Sequence, residues 1–95
     1  MIYLLMFVAG ALLCNGIPHF VSGVRGERFF TPWSGRGMSS PLQNLLWGSA
    51  NWVIGLGLVT RTATQNVPHG LIAIVAGFVL AGAGLAMAFE RRRAE

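Results

Sequence analysis

The chain has no aspartate, three glutamates and a single cysteine, and three long stretches of it carry no charge at all. Each shortage closes a class of function. Without aspartate, the paired carboxylates of an aspartyl membrane protease are missing, and Glu27, Glu90 and Glu95 all lie outside the uncharged stretches, where a proton-coupled exporter would keep an intramembrane carboxylate. Cys14 has no partner for an internal disulfide and reads as a small core residue. One cysteine and two separated histidines, His19 and His69, fall short of the three or four ligands that zinc requires, so no metal site is assigned. Gly-x-Ser-x-Gly, phosphate-binding Walker and His-Glu-x-x-His patterns are missing too. No catalytic residue is therefore assigned, and the chain reads as non-enzymatic.

What the chain has in quantity is apolar surface. Of its 95 residues 54% are hydrophobic and 11% are charged, too little polar surface to cover a water-soluble domain. The uncharged runs are Ile2 to Val24, Leu42 to Thr60 and Gly70 to Phe89, each close to the roughly 20 residues that carry a helix across about 30 Å of hydrocarbon. Backbone groups in lipid must bond within their own segment or around a closed barrel, and the alternating strands of a barrel are missing. The expectation is an all-α integral membrane protein, one domain over residues 1–95 with three transmembrane helices at about 2–24, 41–60 and 68–89. A loop at 25–40, a shorter one at 61–67 and a basic tail at 90–95 complete it. The first run is expected to stay in the protein, since it has no basic leader and bulky Leu13 precedes Cys14 where a lipoprotein signal needs a small residue.

Charge sets the expected orientation. Loop 25–40 and the tail hold Arg25, Arg28, Arg36, Arg91, Arg92 and Arg93, against Arg61 alone on the other side. By the positive-inside rule the N-terminus faces out and the C-terminus is cytoplasmic, in a multi-pass protein of the bacterial cytoplasmic membrane. The short tail, with its two glutamates, reads as a contact for anionic lipid and not for nucleic acid.

Within this frame, Ser40-Pro41-Leu42-Gln43 supplies an N-cap, a proline at the first helical position and the glutamine of a capping box. The preceding loop mixes Phe29, Phe30 and Trp33 with turn residues, and these aromatics are expected at headgroup depth. Arg25, Arg28, Arg36, Ser39 and Ser40 surround the same helix start and form a candidate anion or lipid-headgroup site; the alternative is a plain capped loop. In the third helix Ala73, Gly77, Ala81, Gly84 and Ala88 make a small-residue stripe for close helix packing, with Gly48 and Gly55 of the second helix, or another copy of the chain, as its partner.

The polar residues fall into stripes as well. Asn15, His19 and Ser22 share a face of the first helix, and Asn44, Gly48, Asn51 and Gly55 share one on the second. Aligning the two helices at their cytoplasmic ends puts His19 level with Asn44 and Asn15 level with Gly48. An unpaired polar group in lipid costs several kcal/mol, so mutual hydrogen bonding is the economical outcome. Pro18 adds to the local demand by removing a backbone donor and freeing a carbonyl one turn earlier. The alternative is a binding pocket with His19 as proton carrier or ligand. His69 lies at the opposite end of the spans, so one protomer does not bring both histidines to one metal, and a haem held between subunits is the sole cofactor left open.

Asn-Gly-Ile-Pro-His-Phe at 15–20, Phe-x-Thr-Pro at 29–32, Gly-x-Gly-x-Ser-Ser at 35–40 and Asn-x-x-Trp-Gly-x-x-Asn at 44–51 give the chain its most distinctive pattern. In these residues it resembles a group of small uncharacterised bacterial membrane proteins. The resemblance implies that the end of the first helix, the loop and the start of the second helix form one unit, and it implies no activity. Three functions remain open, in falling order of sequence support: a non-enzymatic membrane protein that is an oligomer or an accessory subunit, with a polar pocket that engages a lipid headgroup, a small anion or a partner helix; an oligomeric transporter or channel with a polar path through Asn15, His19, Asn44 and Asn51; and a membrane enzyme or cofactor carrier.

Overall fold

At Ser40 the chain turns into a helix because both halves of a capping box form: Gln43 N donates to Ser40 Oγ at 3.2 Å and Ser40 N donates to Gln43 Oε1 at 2.9 Å. This helix is the second of three in the computed structural model, which describes residues 1–35 and 37–94. They are α1 (Ile2–Val24), α2 (Pro41–Ala63) and α3 (Gly70–Ala94). Twenty-three residues at about 1.5 Å each make α1 and α2 about 35 Å long. Two helices, α1 and α3 over Gly70–Arg93, are long and apolar enough to cross a membrane, which points to a membrane location.

Three helix ends differ from the expected bounds. α2 continues past Thr60 to Ala63, because a single exposed arginine at 61 does not stop a helix whose Thr62 hydroxyl bonds back to the Leu58 carbonyl at 2.8 Å. α3 begins at Gly70 and not at Pro68, because Asn66 and His69 adopt left-handed backbone (φ 51° and 57°) and turn the chain first. It then continues beyond Phe89 through the arginines to Ala94.

α1 is the central element. It packs against α2 on one side and α3 on the other, while α2 and α3 do not approach each other among the described residues. The helices therefore form an open layer and not a closed bundle. α1 and α2 are antiparallel and meet at glycines: a Cβ on Gly48 would collide with the backbone of Phe20 and Gly16, and one on Gly16 with Trp52 and the Gly48 carbonyl. α1 and α3 are parallel and also meet backbone to backbone, since a Cβ on Gly10 would overlap the Ile74 carbonyl and one on Gly77 the Phe7 carbonyl. Gly48 and Gly55 thus serve α1, with Gly55 against Leu13 and Ala9, and not the stripe on α3 that the sequence assigned to them.

Burial runs opposite to that of a water-soluble protein. The side chains turned inward on α2 are polar or glycine (Asn44, Gly48, Asn51, Gly55, Thr62), while Leu46, Val53 and Ile54 are turned out at 59%, 72% and 56% exposure.

Candidate functional site

Four of the five residues expected to form the polar pocket, Asn15, His19, Asn44 and Asn51, come together between α1 and α2, beside the loop that joins them. Asn44 is the centre of the group and is fully buried. Its Nδ2 lies 3.2 Å from the Phe29 carbonyl, 3.2 Å from that of Ser39 and 3.1 Å from that of Ser40. With the amide nitrogen surrounded by acceptors, Oδ1 must accept, so His19 Nδ1, 2.9 Å away, carries the proton it donates. One turn deeper Asn15 Nδ2 donates to Asn51 Oδ1 at 3.0 Å, and Asn51 Nδ2 donates to the Trp47 carbonyl at 2.8 Å. The two polar pairs bracket the Gly16–Gly48 contact.

The loop is folded down onto this clasp. Phe29 and Ser39 pair as a short antiparallel bridge, Phe29 N to Ser39 O at 3.3 Å and Ser39 N to Phe29 O at 2.7 Å, which aims two of the carbonyls at Asn44. Thr31 Oγ1 and Ser39 Oγ are 2.5 Å apart and buried. Phe29 and Phe30 are buried against the half-buried Phe89 of α3, and the His19 ring sits 5.4 Å from Phe29, 6.5 Å from Trp47 and 6.4 Å from Phe89. Phe29 and Phe30 turn inward, and of the loop aromatics Trp33 alone is exposed, at 54%. The reason is α3, whose last turns close over the loop: Arg92 bonds to the Gly35 carbonyl and stacks 4.0 Å over the Phe30 ring.

Of the candidate anion-site residues, both serines and one arginine have partners within the chain. Ser39 and Ser40 spend their hydroxyls on Thr31 and on the capping box. Arg25 Nε pairs with Glu27 Oε1 at 3.0 Å on the surface, Arg28 is exposed, and Arg36 lies outside the described residues. Ser22 does not join the α1–α2 clasp and instead lines a groove between α1 and α3. In the α3 stripe Ala73 and Ala81 are half-buried and Gly77 is buried, whereas Gly84 and Ala88 are exposed and a Cβ on Gly84 would meet no atom within 4 Å.

Sequence reasoning passed over Phe89, Thr31, Gly10, Gly16 and Gly23. One signal was available: Ala9, Gly16 and Gly23 are small residues seven apart on α1, the same spacing as Gly48 and Gly55 on α2. The contribution of Phe89 had no such signal, because nothing in a helical run announces which side chain will cover a loop 50 or more residues earlier.

Chemically, the arrangement is a set of hydrogen bonds and packed rings in which the buried Trp47 Nε1 is a donor without a partner among the described residues. Among the described residues no group of three or more His, Cys, Asp or Glu side chains could hold a metal ion. No protein family, curated protein or solved structure matches the chain.

Proposed function

We propose that the chain is a small non-enzymatic protein of the bacterial cytoplasmic membrane, crossing it three times with the N-terminus outside, and that it works as a subunit of a larger assembly, with other membrane chains or with copies of itself. The observation that carries this reading is the open layer. α1 is covered on two sides, but α2 and α3 keep most of their surface free and close no bundle among the described residues. Helix association in lipid depends on close backbone approach at small residues. Two such positions have no neighbour in the chain, Gly57 on α2 and Gly84 on α3 beside a cleft against α1, where a Cβ would meet nothing within 4 Å. They are where partner helices would pack.

The inverted burial supports α2 as the third span, since outward Leu46, Val53 and Ile54 suit lipid while Asn44 and Asn51 are satisfied inside. Six arginines toward the 25–40 and C-terminal side support the orientation. In this reading the polar constellation is a clasp that holds α1, α2 and the loop in register. A conducting path through Asn15, His19, Asn44 and Asn51 finds less support, because these side chains are bonded to one another across the Gly16–Gly48 contact.

Purification from native membranes in mild detergent, followed by mass spectrometry of the intact particle, tests the proposal. The expected particle exceeds one chain in mass by a partner protein or further copies. A bare monomer would contradict it, as would solute flux across vesicles that is abolished by His19→Ala.

A further inference from the structure

α1 and α3 touch backbone to backbone at Gly10 and Gly77, and Gly82 still lies close to Cys14, but toward the loop end the two helices leave a groove of about 640 Å³ between them. Its walls are apolar, with Pro18 and Val21 from α1 and Phe89 from α3. Its rim is not: Ser22, Glu90 and Arg93 line the end nearest the loop. The Arg93 guanidinium is held 5.8 Å from the Phe29 ring, which is itself part of the wall. Among the described residues neither Glu90 nor Arg93 forms an ion pair, the one such pair being Arg25–Glu27. Three apart on one helix, the glutamate and arginine share a face about 5–6 Å apart at Cβ. The rim thus offers one negative and one positive group at short spacing above an apolar cleft.

We infer that this groove binds a phospholipid whose headgroup carries both a phosphate and a primary ammonium, of the phosphatidylethanolamine class. Arg93 and the Ser22 hydroxyl take the phosphate, Glu90 accepts hydrogen bonds from the ammonium, and an acyl chain lies along Val21 and Phe89. Phosphatidylglycerol offers Arg93 the same phosphate but brings only neutral hydroxyls to Glu90, so the carboxylate loses the charge-assisted bond that an ammonium makes. Phosphatidylcholine has no N–H to donate to the carboxylate. The inference rests on the membrane reading above and is independent of whether a partner protein is bound.

Native mass spectrometry of the full chain in micelles containing equimolar phosphatidylethanolamine, phosphatidylcholine and phosphatidylglycerol of identical acyl chains tests it. The expected result is one retained phosphatidylethanolamine in preference to the other two. Arg93→Gln is expected to weaken its retention about fivefold. Glu90→Gln is expected to erase the preference over phosphatidylglycerol. Preference of the wild-type chain for phosphatidylglycerol, equal retention of all three lipids, or retention unchanged in both variants would overturn the inference. A lone monomer that still selects phosphatidylethanolamine would contradict only the assembly reading, and an intact assembly without lipid preference would contradict only this one.

Discussion

Asn44 shows what a single polar side chain does in an apolar setting. Removing its amide leaves the buried His19 N–H without its partner and takes a second donor from the carbonyls of Phe29, Ser39 and Ser40, which keep their backbone bonds. Leaving buried groups unsatisfied costs about 1–3 kcal/mol, so Asn44→Ala is expected to destabilise by that amount in reversible unfolding from mixed micelles. Asn15 makes one bond, part-buried, to Asn51, and interhelical bonds of that kind average about 0.6 kcal/mol; Asn15→Ala should cost about that. Equal costs for the two variants would contradict the central place given to Asn44. The His19–Asn44 pairing was legible in the sequence, because polar stripes on antiparallel neighbours leave few registers in which both are satisfied. The three carbonyls were not, since they belong to a loop whose path follows from the Phe29–Ser39 bridge and from rings on a distant helix.

At the scale of the helices, contacts are made by glycines, and position decides what each one does. Gly77→Val should force α3 away from the Phe7 carbonyl and cost about 1–3 kcal/mol, as overpacking does. Gly84→Ala meets open space and replaces a poor helix former, so it should stabilise the isolated chain by up to about 1 kcal/mol. Thermal unfolding of the two variants in one detergent separates them; a loss at Gly84 as large as that at Gly77 would mean that both face a neighbour within the chain. The sequence marked the small-residue stripe but not where it leaves α1, because a straight stripe on one helix does not follow a partner that diverges from it. The start of α2 was legible to the residue, since a capping box is local chemistry. The start of α3 was not, since left-handed turns at Asn66 and His69 have no obligatory glycine to announce them.

For the molecule as a whole, the proposed orientation predicts which loops a reagent reaches. With Cys14 replaced by alanine, a membrane-impermeant thiol reagent on intact cells should label Gln65→Cys and spare Met38→Cys; the reverse pattern would invert the topology. The all-helical architecture was legible from run length and charge, because lipid leaves the backbone so few solutions. The open layer was not, because no run of residues tells whether α2 and α3 meet across α1. All of this depends on α2, the least apolar helix, standing in lipid with its polar face inward and Val53 outward at 72% exposure. A nitroxide on Val53→Cys in the reconstituted, Cys14-free protein reads that directly through its collisions with oxygen, which concentrates in lipid, and with a water-soluble nickel complex, which does not. A third span predicts strong relaxation by oxygen and almost none by nickel; relaxation dominated by nickel would put α2 in water and contradict it.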